Sequence, residues 1–190
     1  MKDYLENYIA EQRSALESIS VNEVESVINV FKQALKEDKQ IFVFGNGGSS
    51  SNASHFVTDL GKSSSDKTYR RFRCLSLNEN LGWITAIGND YAYEDIYLRQ
   101  LENYVRPGDI VMVLSVSGNS PNLVKAVEYC KKQNVYTIAL LGAKKGELAA
   151  LADESIIINS THYGRVEDCH MHICHMICYA FVERTELQQQ

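Results

Sequence analysis

His55 and Asp59 stand four residues apart, a spacing that places an imidazole and a carboxylate on one face of a helix. Such a pair can move protons between a substrate and the protein. Directly before it, Ile41 to Ser51 reads IFVFGNGGSSS, an apolar run that passes into glycines and hydroxyls. This is the pattern of a buried strand, a tight turn and a helix start. A helix N-terminus in that setting offers free N–H groups and the positive end of a dipole, so it holds phosphate without a cationic side chain. The turn is not a P-loop, because its lysine is absent and its glycines are wrongly spaced. It also lacks the G-x-G-x-x-G spacing of a dinucleotide site. The plainer alternative is an ordinary strand-to-helix turn of an α/β protein.

A second loop repeats the chemistry. Leu114 to Asn122 reads LSVSGNSPN and carries three hydroxyls, on Ser115, Ser117 and Ser120. Ser120 is suited to an N-cap and Pro121 to the first helical position, where its missing N–H is harmless. Two hydroxyl-rich strand-to-helix turns point to one anion site more strongly than either alone.

The elements that must position these loops alternate along the chain. Strands are expected at 41–45, 73–77, 109–116, 135–142 and 154–159, all continuous apolar runs, as in a parallel sheet covered on both faces. Helices are expected at 52–61, 81–88, 93–104, 120–133 and 146–152, with a last one over about 166–186. The order implies an α/β protein with a doubly wound, five-stranded parallel sheet, in which ligands bind beyond the carboxyl ends of the strands. Residues 1–190 are read as one domain, with a helical segment at 1–38 and an α/β core at 39–190. The first segment is helical from about Asp3 to Lys36, broken near Val21. Two helices ahead of the first strand need a surface to cover, so a homo-oligomer is expected.

Composition narrows the function classes. A net charge of −5 over 190 residues argues against a nucleic-acid surface. The one basic cluster, Tyr69 to Arg73, reads as a solvated loop or a subunit contact. No apolar run approaches a membrane span and the N-terminus is charged throughout, so a cytoplasmic protein is expected. The cysteines at 74, 130, 169, 174 and 178 form no C-x-x-C pair and read as reduced, mostly buried thiols. His170 and His172 read as structural or subunit-contact residues, and His162 and Tyr163 as candidates for lining the pocket.

GNGGSSSNASHF at 45–56, IGND at 87–90, SVSGNS at 115–120 and a late histidine-bearing helix together resemble the sugar isomerase (SIS) domain, with its flavodoxin-like fold. Within that superfamily the chain is similar to the phosphoheptose isomerases, over nearly its whole length. The resemblance implies a ketose–aldose isomerase of a phosphorylated sugar, sedoheptulose 7-phosphate first, working through an enediol. It implies phosphate contacts from Ser49, Ser115, Ser117 and Ser120, with Asn46, Gly47 and Gly48 lining the same pocket and Asp90 near the sugar. It makes Asp59 the catalytic carboxylate and His175 the catalytic histidine. It also implies a zinc ion held by His55, Asp59, Glu167 and His175; the homo-oligomer expected from the N-terminal helices is read as a homotetramer of closed symmetry. In the family pattern the residue matching Asp59 is usually Glu, that matching Glu167 is usually Gln, and Thr is common at Val116. The stretch HYGRVEDCH is shorter than its counterpart. Two alternatives stay open: an isomerase of another acidic sugar, and a non-catalytic SIS module that binds a sugar phosphate or a protein.

The chemistry is consistent with those residue types. Moving a proton between C1 and C2 needs one base for carbon and a second group for the oxygens. Spacing limits the metal set. Glu167 and His175 are eight residues apart, about 12 Å of rise on a straight helix. They grip one ion only if Glu167 precedes the helix or comes from another subunit. A site between subunits is therefore expected.

Overall fold

The computed structural model describes residues 1–189. Five parallel strands form one sheet: β1 (Gln40–Gly45), β2 (Arg73–Ser76), β3 (Ile110–Ser115), β4 (Tyr136–Gly142) and β5 (Glu154–Ile158). Their order is β2-β1-β3-β4-β5, so the chain reverses its winding direction between β1 and β3. A doubly wound sheet opens its ligand crevice at that switch point. All five expected strands are present, within about a residue at each end.

Alternate strand residues feed two cores, because successive side chains point to opposite faces. On one face Ile41, Val43, Met112, Leu114, Ile138 and Leu140 are buried under α1 (Lys2–Glu17), α2 (Val21–Glu37), α3 (Gly48–Asp59) and α8 (Tyr163–Glu183). On the other, Phe42, Phe44, Val111, Val113, Ala139 and Leu141 are buried under α4 (Leu81–Asp90), α5 (Leu98–Tyr104), α6 (Pro121–Lys132) and α7 (Leu148–Leu151). Each of these side chains other than Ala139 contributes about 1.5–3 kcal/mol by leaving water. A short α9 (Thr185–Gln188) follows α8.

The N-terminal helices differ in how they are covered. In α2, Ser20 caps by accepting a hydrogen bond from the Glu23 N–H, and Val24, Val27, Phe31, Ala34 and Leu35 are buried. In α1 only Ala15 is buried, while Tyr4, Leu5 and Ile9 stand exposed.

Several helix boundaries depart from expectation. α3 begins at Gly48 rather than 52, because the glycine–serine turn is itself the first helical turn. Past Asp59 it continues as a π-helical turn, Leu60–Ser64. The expected helix at 93–104 splits into a 3₁₀ turn, Tyr93–Asp95, and α5. The helix expected at 146–152 is a single turn. The late helix starts at Tyr163, three residues early, because the His162 side chain accepts a hydrogen bond from the Arg165 N–H and caps it.

The thiols follow expectation. All five cysteines are unpaired and all but Cys74 are buried. The arginines of the basic cluster are spent locally, Arg70 and Arg73 on Asp38 and Arg71 on Asp66. Among the described residues, no helix is long and apolar enough to cross a membrane.

Candidate active site

At the switch point lies a cavity of about 310 Å³ lined by residues that follow β1 (Asn46 to Ser49), residues at the end of β3 (Leu114 to Ser117), and Ser120, Leu123, Tyr163 and Glu167. The first turns of α3, α6 and α8 meet there, so three helix N-termini share one pocket. That favours an anion electrostatically. No lysine or arginine is among the lining residues.

The loops are shaped for close approach. Gly45 passes β3 so tightly that a Cβ would stand 2.7 Å from the Leu114 carbonyl oxygen. Gly47 has φ of +57°, a conformation that glycine takes at least cost. Gly118 has φ of +69°, and a Cβ there would collide with the Lys145 carbonyl. The hydroxyls are preset as well. Ser115 Oγ accepts from the Gly118 N–H at 3.0 Å, and Ser117 Oγ accepts from the Asn119 N–H at 3.3 Å. With a lone pair occupied by the backbone, each hydroxyl hydrogen is left to donate to a ligand. Ser120 occupies the N-cap position of α6, but its side chain makes no capping bond.

Asn46 is held by a network that its sequence context does not reveal. Asn46 and Asn122 exchange side-chain hydrogen bonds of 2.9 Å in both directions. The Tyr97 hydroxyl lies 3.0 Å from Asn46 Oδ1 and 2.6 Å from the Gly45 carbonyl, and Asn78 bridges Tyr97 to Gly45. Burial pushes the Tyr97 hydroxyl up to about 12, so it stays protonated. Tyr97 is separated from Asn46 by 51 residues, and only the tertiary fold joins them.

The second cluster sits at the other end of α3. Asp59 Oδ2 is 3.4 Å from His55 Nε2 and 3.6 Å from His175 Nε2. The two imidazole rings meet edge to face, 5.2 Å between centroids. One ligand atom from each residue falls within 4.8 Å of the others, so the three can hold a metal ion. Two imidazoles and a carboxylate with an open side suit a catalytic zinc site. Asp59 closes the α-helical part of α3 just before the π turn, a device that often marks functional positions.

Within one protomer, three of the residues singled out in the sequence lie apart from the groups expected around them. Glu167 does not join the His–Asp–His cluster. It lies within α8, two turns before His175, and lines the anion pocket instead. Burial, and then its neighbour Asp168, raises its pKa above the ordinary carboxylate value. Asp90 is not among the pocket residues. It ends α4 on the exposed surface and accepts a hydrogen bond from Asn89. His162 caps α8 and does not line the pocket, whereas Tyr163 does.

The pocket and the cluster are separated within one chain. Asp59 follows Gly48 by eleven residues along α3, about 16 Å of rise. Asn46, Gly47, Gly48, Ser49, Ser115, Ser117 and Ser120 are brought together at one end, and His55, Asp59 and His175 at the other.

A family profile described as "SIS domain" matches residues 3–142. Among curated proteins, a "Probable phosphoheptose isomerase" of Thermoplasma volcanium is 38% identical over 178 residues, covering 92% of this chain and 88% of the relative. A phosphoheptose isomerase of Sulfurimonas denitrificans is 34% identical and covers 94% and 93% of the two chains. The solved structure of a phosphoheptose isomerase from Neisseria gonorrhoeae superposes with a TM-score of 0.87 at 27% identity, covering 95% of this chain and 97% of that one.

Proposed function

The chain belongs to the SIS domain family, among the phosphoheptose isomerases, and from that premise we propose that it interconverts sedoheptulose 7-phosphate and D-glycero-D-manno-heptose 7-phosphate. The observation that carries the reading is the contact of Asp59 with both His55 and His175, on a helix whose other end opens on a serine-lined pocket.

In this reading the hydroxyls of Ser49, Ser115, Ser117 and Ser120 hold the phosphate, with the backbone at Gly47 and Gly48 and the N-termini of α3 and α6. Asn46, fixed by Asn122 and Tyr97, orients the sugar beside it. Asp59 takes the proton from C1 or C2 of the open-chain sugar and returns it to the other carbon. His175 exchanges the proton that must move between the two oxygens. The enediol is the species between these transfers. His55, Asp59 and His175 would also hold a zinc ion, which when bound polarises a carbonyl oxygen as a Lewis acid.

The distance between pocket and cluster calls for a long, extended substrate, or for a cluster that meets the pocket of a neighbouring protomer. The exposed apolar face of α1 supports the second arrangement, and we take the assembly to be a homotetramer with its sites between subunits. In it, Glu167 or Asp90 of a neighbouring subunit would complete the site. The unpaired thiols support a reducing compartment, the cytoplasm.

The direct test follows new aldose by NMR after mixing protein with sedoheptulose 7-phosphate. Turnover supports the assignment. Turnover of a different sugar phosphate alone moves the substrate, and none with any sugar phosphate, with or without zinc, leaves a binding module.

A further inference from the structure

Arg165 is a charged residue in the first turn of α8 that the reaction above does not use. Tyr163 and Glu167, four residues apart, share the face of α8 that lines the pocket. Arg165 lies midway between them in sequence, about 200° around the helix from each, and so occupies the back of the same stretch. Its side chain is only 16% exposed and is gripped by α1. The guanidinium stands 5.0 Å over the Tyr8 ring and pairs with Glu11, while Gln12 Nε2 donates to the Arg165 carbonyl at 3.4 Å. Tyr8 also meets the ring of His162, the α8 cap, edge on at 5.7 Å. The two helices come close here, since a Cβ at Gly164 would stand 3.1 Å from the Tyr8 hydroxyl. A mostly buried arginine is a weak source of stability, because its loss of water offsets what the ion pair and the aromatic contact contribute. Its buried Nε has no hydrogen-bond partner among the described residues. What the guanidinium supplies is geometry, a rigid planar fork that fits one arrangement of partners.

We propose that Arg165 is a positioning residue: clamped between Tyr8 and Glu11, it holds the N-terminus of α8 against the phosphate in the serine-lined pocket. The inference rests on that pocket being the phosphate site. The start of α8 is one of the three helix ends that meet there, and the N–H groups of Tyr163 and Gly164 have no partner among the described residues. A helix end attracts an anion only at close range, so a start that drifts lowers phosphate affinity. The middle of α1 is held by this clamp rather than by a core, because the buried residue of α1, Ala15, lies near its C-terminus. One turn further along α8 the constraint is different. Asn52 Nδ2 donates to the Glu167 carbonyl at 2.9 Å and ties that turn to α3. Loss of the clamp therefore frees the start of α8 without moving Glu167 or His175, and affects binding rather than proton transfer.

The experiment measures inorganic phosphate binding by calorimetry, together with kcat and KM for the sugar phosphate, in wild type, Arg165→Met and Arg165→Lys. In Arg165→Met phosphate is expected to bind about fivefold more weakly, the contribution of one helix end to holding an anion, and KM should rise by a similar factor. Its kcat, melting temperature and oligomeric mass should stay near wild type. Arg165→Lys keeps a cation for Glu11 and for the Tyr8 ring and should recover most of the affinity. Unchanged phosphate affinity in Arg165→Met overturns the proposal. A loss accompanied by a fall in kcat, melting temperature or mass makes Arg165 a structural residue and overturns it too, as does a lysine variant that recovers nothing. If wild type binds phosphate but turns over no sedoheptulose 7-phosphate, the substrate reading fails while the affinity comparison still decides the role of the clamp. If wild type binds no phosphate, the pocket assignment fails and takes the proposal with it.

Discussion

The two ends of α3 are built on opposite principles. At its start the site is made of backbone and hydroxyls, with three helix N-termini and not one cationic side chain in the lining. At its end the site is three ionisable side chains, two imidazoles around one carboxylate oxygen of Asp59. A site made of backbone depends on loop shape and responds little to a single hydroxyl. A site made of side chains fails when one functional group is removed, although the fold remains. This difference predicts how each end should break.

The largest effect is expected at the side-chain end. Asp59→Asn and His175→Ala should each lower kcat by about 10²- to 10⁴-fold, with circular dichroism and melting temperature little changed. Near-normal turnover in either variant removes that residue from the chemistry. Metal analysis of the same proteins sharpens the point, because His55→Ala should lose bound zinc together with them if the three side chains form one metal centre.

At the backbone end the damage should appear as lost structure. Gly118→Ala places a side chain at φ of +69° and against the Lys145 carbonyl. A loss of about 2–4 kcal/mol in unfolding free energy is expected, measured by denaturant titration, with phosphate binding lost in parallel. A variant as stable as wild type would show that the loop adapts and that its shape is not what forms the pocket.

Between the two ends, α8 carries a comparable liability. His170 is fully buried, and its ring has at best a poorly aligned contact with the Leu141 backbone to offset that burial. Burial lowers its pKa from 6.5 to about 4. Because the folded value lies below the unfolded one, the unfolded chain takes up the proton first as pH falls. Stability is whole above about pH 6.5 and declines toward pH 4, by about 3 kcal/mol in all. Unfolding curves across that range should show the decline, and His170→Leu should flatten it. An equal decline in the variant assigns the acid sensitivity to other groups.

The smallest expected effects are at single hydroxyls. Ser115→Ala, Ser117→Ala and Ser120→Ala should each raise KM about tenfold, the worth of one hydrogen bond to a charged group. A thousandfold loss from one of them would mean that the pocket depends on that side chain rather than on its backbone and dipoles.

How much of this was legible beforehand follows from the range of each interaction. The strands were legible because residues buried on both faces must be apolar without interruption, as in Ile110 to Leu114. The serine loops were legible because glycine, serine and proline are turn chemistry that the chain carries locally. The start of α3 was not, because Gly48 to Ser50 resemble loop by composition and become helix only when anchored to β1. Glu167 stands apart from the cluster of its own protomer for a different reason. Its motif position suggested a metal ligand, but the helix that contains it runs without a break to His175. The support of Asn46 by Tyr97 and Asn122 left no trace at all, since those residues are spread over three elements.

Periodicity and turn residues alone thus determined the order of strands and helices along the chain, a ligand site beyond the carboxyl ends of the strands, and the identity of the hydroxyls and ionisable groups available to it. These are properties of neighbouring residues, written into local backbone preference. Only the tertiary structure decided the partners: that His175 meets Asp59 across 116 residues, that Glu167 faces Gly48, and that Asp90 faces solvent. Such contacts depend on the packing of α8 along α3 at one register, and helix register is fixed by the buried faces of both helices together rather than by either sequence in isolation.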